Sequence, residues 1–487
     1  MASDCRTSAA PEPSRDHVTI GVSIPKLTGT ELSAATVGGS MLRDSGVAFD
    51  QNGHPSPRIF DTWEWLEHGH ALQLHLTQNI FFHDGTPLTA ELAADIVRDY
   101  LQDPTQLHVS SVESVTATDA SHVRIRTLRQ EGLLLAELSM IDFERPGAPS
   151  VGTGPFKVTS DASTLEAFDK YYLGAPTLKR VRFTDYPSQR AAWVALMRGD
   201  IDMLHEVSPD ALEFIQAESR VTPAIFLRPY TNTIVFNLKH PILSRREVRV
   251  ALNEAVDRKA IVDVSMRGLG RPASDPIWPL HWAYSTSVRD IPYDPAHAMA
   301  LLDDAGLPAG RRRDPALMPS RFSFKCLVLD NELSFNRIAL RVQRQLYEIG
   351  VDMEVVPLKP RQLGQALVSG EFDAILMEFA TARSLNMVYA LWHSPQPGIV
   401  GTVPNGYRGA DVALDRFRAA TEDAEIKASV EGLQRVFRDD PPAIFIAWPQ
   451  RARALSKAFV FPEEGSADIL GSIRLWRSSP GSTRSVQ

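Results

Sequence analysis

Cysteine is nearly absent: the 487 residues contain only Cys5 and Cys326, a pair too small to define a disulfide framework. Cys326 lies in the apolar run Phe322 to Leu329 and reads as a core residue, not a reactive thiol. Long apolar runs are missing too. No window approaches the ~18 consecutive apolar residues of a membrane span, and the first residues lack the basic start and apolar stretch of a signal peptide. Nor is there an excess of positive charge. Lys and Arg number 51 against 59 Asp and Glu, a formal net charge of −8, which argues against a nucleic-acid partner. The sharpest basic run, Arg311-Arg312-Arg313, sits between Gly310 and Asp314-Pro315 in a loop-like stretch and reads as a solvated turn. Enzyme signatures are also missing: there is no G-x-S-x-G elbow, no phosphate-binding G-x-x-x-x-G-K-[ST] loop and no H-E-x-x-H helix. Gly268-Leu269-Gly270-Arg271-Pro272-Ala273 imitates a dinucleotide fingerprint, but it follows a helix and carries Pro272, so the strand, turn and helix context is wrong. No catalytic residue, cofactor or metal is assigned.

What is present is an ordinary globular composition, 44% hydrophobic and 23% charged, in a chain long enough for two or three cores. Residues 1–16 are polar and proline-bearing and read as a disordered lead-in. After a first strand at His17 to Ser23, helical and strand patterns interleave. Val123 to Leu128, Ile234 to Leu238 and Asp352 to Val356 read as strands; Gln189 to Met197, Arg246 to Val264 and Ser334 to Ile349 read as helices. Interleaving of this kind predicts an α/β fold. The stretch Leu72 to Glu91 is the most informative. Leu72, Leu74 and Leu76 alternate with polar residues up to Ile80-Phe81-Phe82, Asp84-Gly85 turns the chain, and Thr89 caps a helix carrying Leu92, Ile96, Val97 and Tyr100.

This stretch, Phe82-His83-Asp84-Gly85-Thr86-Pro87, resembles a signature of the peptide/nickel family of solute-binding proteins, family 5 of bacterial ABC importers. Further blocks resemble that family in its own order: Gly152-Thr153-Gly154-Pro155-Phe156, Gly199-Asp200-Ile201-Asp202, Phe236-Asn237 with Val248-Arg249 to Asp257-Arg258, Tyr293-Asp294-Pro295 and Gly370-Glu371-Phe372-Asp373. The resemblance implies a periplasmic binding protein type II fold, two lobes joined by hinge crossover strands plus a small inserted domain. It places lobe I at 17–50, 155–238 and 463–487, the inserted domain at 51–154 and lobe II at 239–462. It also implies a monomer that binds a small-molecule ligand by hinge closure and delivers it to an ABC transporter permease. Its place would be the periplasm or the outer face of the cytoplasmic membrane, with the signal peptide removed. Contact with the membrane would then run through the permease or a lipid anchor. Cys5 invites the anchor reading, although Asp4 stands where a small residue is expected. A sensor module of the same fold, or a hydrolase with no recognisable motif, are the competing readings.

The cleft candidates are aromatic and polar residues in loop-like settings: Trp278 between Ile277 and Pro279, Trp392-His393, and Tyr230 with Asn232 leading into the Phe236-Asn237 strand. The competing reading for each ring is core filling, and it is the preferred one for Trp193 on its helix. Close-set His68, His70, His75 and His83 suggest a metal, but alternation and Gly69 place them on a solvated hairpin. Peptide-binding relatives carry an Asp that receives the ligand's α-ammonium group; the corresponding position is Ala382. A free amino terminus would then be desolvated without a counter-ion, so the expected ligand is not a generic free-amino-terminal peptide. Arg383, beside it, offers a guanidinium fork to a carboxylate or phosphate, which fits an anionic ligand or a modified peptide.

Overall fold

The strand Ala443–Ser456 runs through both halves of the molecule. Its first half is flanked by Tyr230–Phe236 and Gly270–Pro272, its second by Met203–Val207 and Val221–Leu227. The computed structural model in which this is seen describes residues 15–23, 38–103, 106, 111–309, 320–330, 332–395, 403–462 and 467–479. Cys5, the Arg311 to Arg313 run and most of the expected lead-in lie outside the described residues.

Two sheets thus share one strand. The lobe I sheet continues from Met203–Val207 through His17–Val22 and Arg180–Asp185 to Thr164–Ala167 and Phe156–Val158. The lobe II sheet continues from Tyr230–Phe236 through Ala374–Ala380 and Phe322–Leu329 to Val351–Leu358. Helices cover both faces of the lobe II sheet: Phe236, Leu252 and Val342 belong to one core, Trp392, Phe437 and Phe445 to the other. Burial on both faces explains why Ala374-Ile375-Leu376 is continuously apolar and does not alternate.

The strand pairing shows where the chain passes between the two sheets. Pairing changes from one sheet to the other between Leu227 and Tyr230, at Arg228-Pro229, and again near Pro449-Gln450. The chain thus changes sheet at 228–229 and again at 449–450, against lobe boundaries expected at 238 and 462. Proline on both crossovers removes an amide donor and leaves the ladder interrupted there.

The inserted domain is a four-stranded sheet in the order Phe60–Leu66, Ala71–Leu76, His122–Thr127, Val112–Asp119. Helix Ala90–Gln102 packs on it, and the Thr89 side chain accepts from Leu92 N–H at its start. Here the family motifs have a structural cause. Gly152 N–H donates to His83 Nδ1 at 3.3 Å, and His83 Nε2 donates to Gly154 O at 3.0 Å; Asp84 pairs with Arg145. The H-D-G and G-T-G-P blocks are thus two ends of one staple. Because Nδ1 accepts, the ring must stay neutral, and burial lowers its pKa. We expect His83→Leu to lower unfolding free energy by about 2 kcal/mol at neutral pH, since two backbone groups lose partners. A lowered folded-state pKa means this contribution is complete above the ordinary histidine pKa and is lost as pH falls below it. Urea titrations of both proteins at neutral and mildly acid pH should show the gap closing; a constant gap would refute the staple.

The expected single helix Arg246 to Val264 is broken. It runs Arg246–Glu254, stops, and restarts at Arg258 because Asp257 Oδ1 accepts from Ala260 N–H at 2.9 Å. Arg258 is buried and donates to Ala273 O at 2.8 Å, Phe445 O at 2.7 Å and Asn253 Oδ1 at 2.7 Å. The motif arginine fastens this helix to the long strand.

Candidate functional site: the inter-lobe cleft

Ligands of open α/β sheets sit beyond the carboxyl ends of the strands. In lobe I that end is Val207-Ser208, and in lobe II it is the stretches after Leu329 and around Glu378. These ends meet at the hinge around a cavity of about 160 Å³, with Ser208, Asp210, Asn232, Glu332, Glu378 and Arg451 among its lining residues.

Asn232 and Glu378 are directly opposed on paired strands, so their side chains share one face. The register slips between Asn232 and Thr233, a bulge that re-aims side chains locally. Asn232 is buried, with 3% of the residue exposed, and its Oδ1 has no hydrogen-bond partner. A buried orphan acceptor costs about 1–3 kcal/mol unless something fills it.

Charge on this wall is balanced. Glu378 pairs with Arg228 at 2.9 Å and Arg451 at 3.1 Å, and Arg451 also reaches Glu206 at 3.5 Å. The Arg228 guanidinium lies over the Tyr230 ring, 4.1 Å from its centroid, a cation–π contact. Across the opening, Asp210 of lobe I meets Arg267 at 2.6 Å and Arg337 at 3.4 Å from lobe II.

Of the sequence candidates, Asn232 lines the cavity and Tyr230 supports it through Arg228. Four others are elsewhere. Trp278 is fully buried, edge-on to Trp448 at 5.5 Å, and donates Nε1–H to Gln51 O at 2.7 Å; it holds an early loop against lobe II. Trp392 is enclosed by Phe379, Phe437 and Phe445, and His393 is buried with Nδ1 2.8 Å from Ser394 O. Both belong to the core because helix Asn386–Trp392 lies under the sheet. Arg383 lies in the turn after strand Ala374–Ala380, where Nη1 reaches Phe49 O at 3.5 Å. With its amide oriented to satisfy its neighbours, Gln51 accepts from Arg383 Nη2 at 3.1 Å and Ala467 N at 3.3 Å. The preceding Ala382 has φ 55°, a left-handed conformation costly for a residue with a Cβ. Thr381 donates twice to Pro229 O, from N at 2.9 Å and Oγ1 at 3.0 Å, so this turn is tied to the crossover.

Trp193 packs against the lobe I core as expected, but it is only half-buried and also lines a groove on lobe I. Glu378, Arg228 and Arg451 were missed, although a carboxylate inside Ala374-Ile375-Leu376-Met377-Glu378-Phe379-Ala380 is a visible signal. The four suspected histidines are separate: His75 pairs with Asp61 at 2.6 Å, and His83 is the staple.

The family model for bacterial extracellular solute-binding proteins, family 5 (middle region), matches residues 54–398. The chain belongs to this family. Family 5 proteins serve ABC importers for peptides, nickel and opines. Heme-binding protein A of Haemophilus influenzae is 27% identical over 54% of this chain and 56% of its own length. The dipeptide-binding protein of Escherichia coli K12 is 24% identical over 66% of each. The chain thus spans about half to two thirds of these relatives. Among solved structures, NikZ from Campylobacter jejuni in complex with Ni(L-His) superposes with a TM-score of 0.76 at 20% identity, covering 95% of this chain and 100% of that one. These neighbours have the two-lobed type II periplasmic binding fold. Among the described residues, no helix is long and apolar enough to cross a membrane.

Proposed function

We propose that this family 5 protein is the extracytoplasmic binding component of an ABC importer, that it performs no covalent chemistry, and that its solute is a small carboxylate whose amino group is blocked. The observation that carries the reading is Asn232, a buried carboxamide without a partner, facing a cavity between two hinged lobes. On closure of the lobes an amide N–H of the solute would donate to that oxygen. A volume of about 160 Å³ is below the ~300–1,000 Å³ typical of drug-sized ligands, which favours a compact head over an extended oligopeptide.

Charge supports the rest. Ala382 supplies no counter-ion for an ammonium group. Glu378 is nearby in sequence, yet two guanidiniums already hold it, so an ammonium placed there would meet like charge. A carboxylate meets a better setting, because Arg228 or Arg451 can exchange part of its pairing with Glu378 for a fork onto the solute. Solute touching both lobes would favour the closed form, and moving that balance from 1:99 to 99:1 takes a preference of about 5.5 kcal/mol.

Calorimetry tests this with matched pairs, N-acetylglycine against glycine and N-acetyl dipeptides against the free dipeptides. The blocked members should bind at least tenfold tighter. Tight binding across a panel of free di- to pentapeptides would refute the reading. Asn232→Leu should weaken the blocked members about tenfold or more, as loss of a buried hydrogen bond implies.

A further inference from the structure

We infer that the groove between the first turns of helices Gln189–Arg198 and Pro209–Gln216 is a second part of the same site, receiving an apolar substituent carried on the blocked nitrogen of the solute. This rests on the reading above and adds the class of substituent to it. The groove has a volume of about 590 Å³, several times that of the hinge cavity. Leu204, Val207 and Ile215, all at least 96% buried given exposures of 3%, 4% and 1%, lie beneath it. Its walls are the half-buried Trp193 and Phe214, and Phe214 is 69% exposed.

A phenylalanine ring held largely in water beside an indole forgoes burial worth several-fold in affinity to any apolar group that covers it. The occupant is identified by continuity. Ser208 and Asp210 line both the groove and the hinge cavity. Glu206 lines the groove and sits 3.5 Å from Arg451, which lines the cavity. The chain itself makes the connection, since Val207-Ser208-Pro209 passes from the strand end to the helix start between the two spaces. A solute with its carboxylate and amide at the hinge can therefore extend past Ser208 over Trp193 and Phe214 without leaving the protein surface. The hinge cavity is too small to hold a long substituent, and this is the apolar space that adjoins it.

Chain length is the decisive variable. N-acetyl-, N-butyryl-, N-hexanoyl- and N-octanoylglycine are titrated into the full chain by calorimetry. Affinity should rise about three- to fourfold per methylene, as burial of a CH₂ group implies. In Phe214→Ser and in Trp193→Ala the gain should collapse, so that the two ends of the series bind within a few-fold of each other. Circular dichroism melting curves confirm that these surface variants are folded. A flat series with N-acetylglycine still bound, or a length dependence that survives both substitutions, overturns the subsite and leaves the blocked-amine reading standing. Failure of every member to bind overturns both. A flat series in which Phe214→Ser impairs uptake in cells without changing solute affinity would assign the groove to a protein partner instead, and overturns the inference as well.

Discussion

Glu378→Gln is expected to lower the unfolding free energy by about 2–4 kcal/mol, in the lower part of the range for breaking a buried charge pair. Glu378 is 12% exposed, while Arg228 and Arg451 are 31% and 27% exposed, so solvent screens part of the loss. The neutral amide leaves two guanidiniums, one on a crossover and one on the long strand, repelling across the hinge. The effect should vanish when the whole triad is replaced by apolar residues of similar volume, because the penalty comes from unpaired charge and not from the lost pairing itself. Urea denaturation of the single variant and of Arg228→Met/Glu378→Leu/Arg451→Met decides the matter. A single variant within 0.5 kcal/mol of the parent would show that the hinge does not depend on this triad. Because Glu378 then no longer competes for the two guanidiniums, the same variant should tighten binding of a carboxylate solute.

Gly132→Ala should be more disruptive still, above about 3 kcal/mol, the range in which a substitution forces packed backbone apart. A Cβ at Gly132 would lie 1.8 Å from Ala420 O and 3.1 Å from Arg418 O. Both are backbone carbonyls at the end of helix Asp411–Ala419, so neither can rotate away as a side chain would. The loop must lift. It would then lose the Gly132 N–H bond to Arg418 O at 2.7 Å. The Arg418 pairing with Glu131 at 3.0 Å would go with it, exposing a carboxylate that is otherwise fully buried. Hydrogen exchange should rise together in residues 128–133 of the inserted domain and 415–421 of lobe II, since each covers the other. Unchanged protection in both segments would contradict the close approach. Gly364→Ala is the opposite case. It lies inside helix Pro360–Ser369 with nothing within 4 Å of the new Cβ, and it should raise stability by about 0.5–1 kcal/mol through the helix preference for alanine.

Local chemistry was legible in the sequence wherever one segment carried its own explanation. Thr89 caps its helix, Gly199 and Gly370 end theirs at φ 77° and 70°, and the stripe Ile338, Val342, Leu346 is buried as its spacing implies. The place of Asn232 was legible too, as a polar residue leading into the apolar Ile234-Val235-Phe236 of its strand. The ring candidates were not. Trp392 and Trp278 looked like cleft walls because a loop-like neighbourhood is visible in sequence, whereas the sheet that covers them is not.

By itself the sequence determined the family and the α/β layering. These follow from periodicity, caps and turns, which act over a few residues. Only the tertiary structure decided where the lobes exchange chain, which polar groups face the hinge, and that an exposed groove adjoins it. Those depend on which strand lies beside which: Asn232 next to Glu378 and Arg451 beside Glu206 are contacts between segments up to 245 positions apart. Their energies come from desolvation and charge at a shared boundary, which no single stretch of sequence contains.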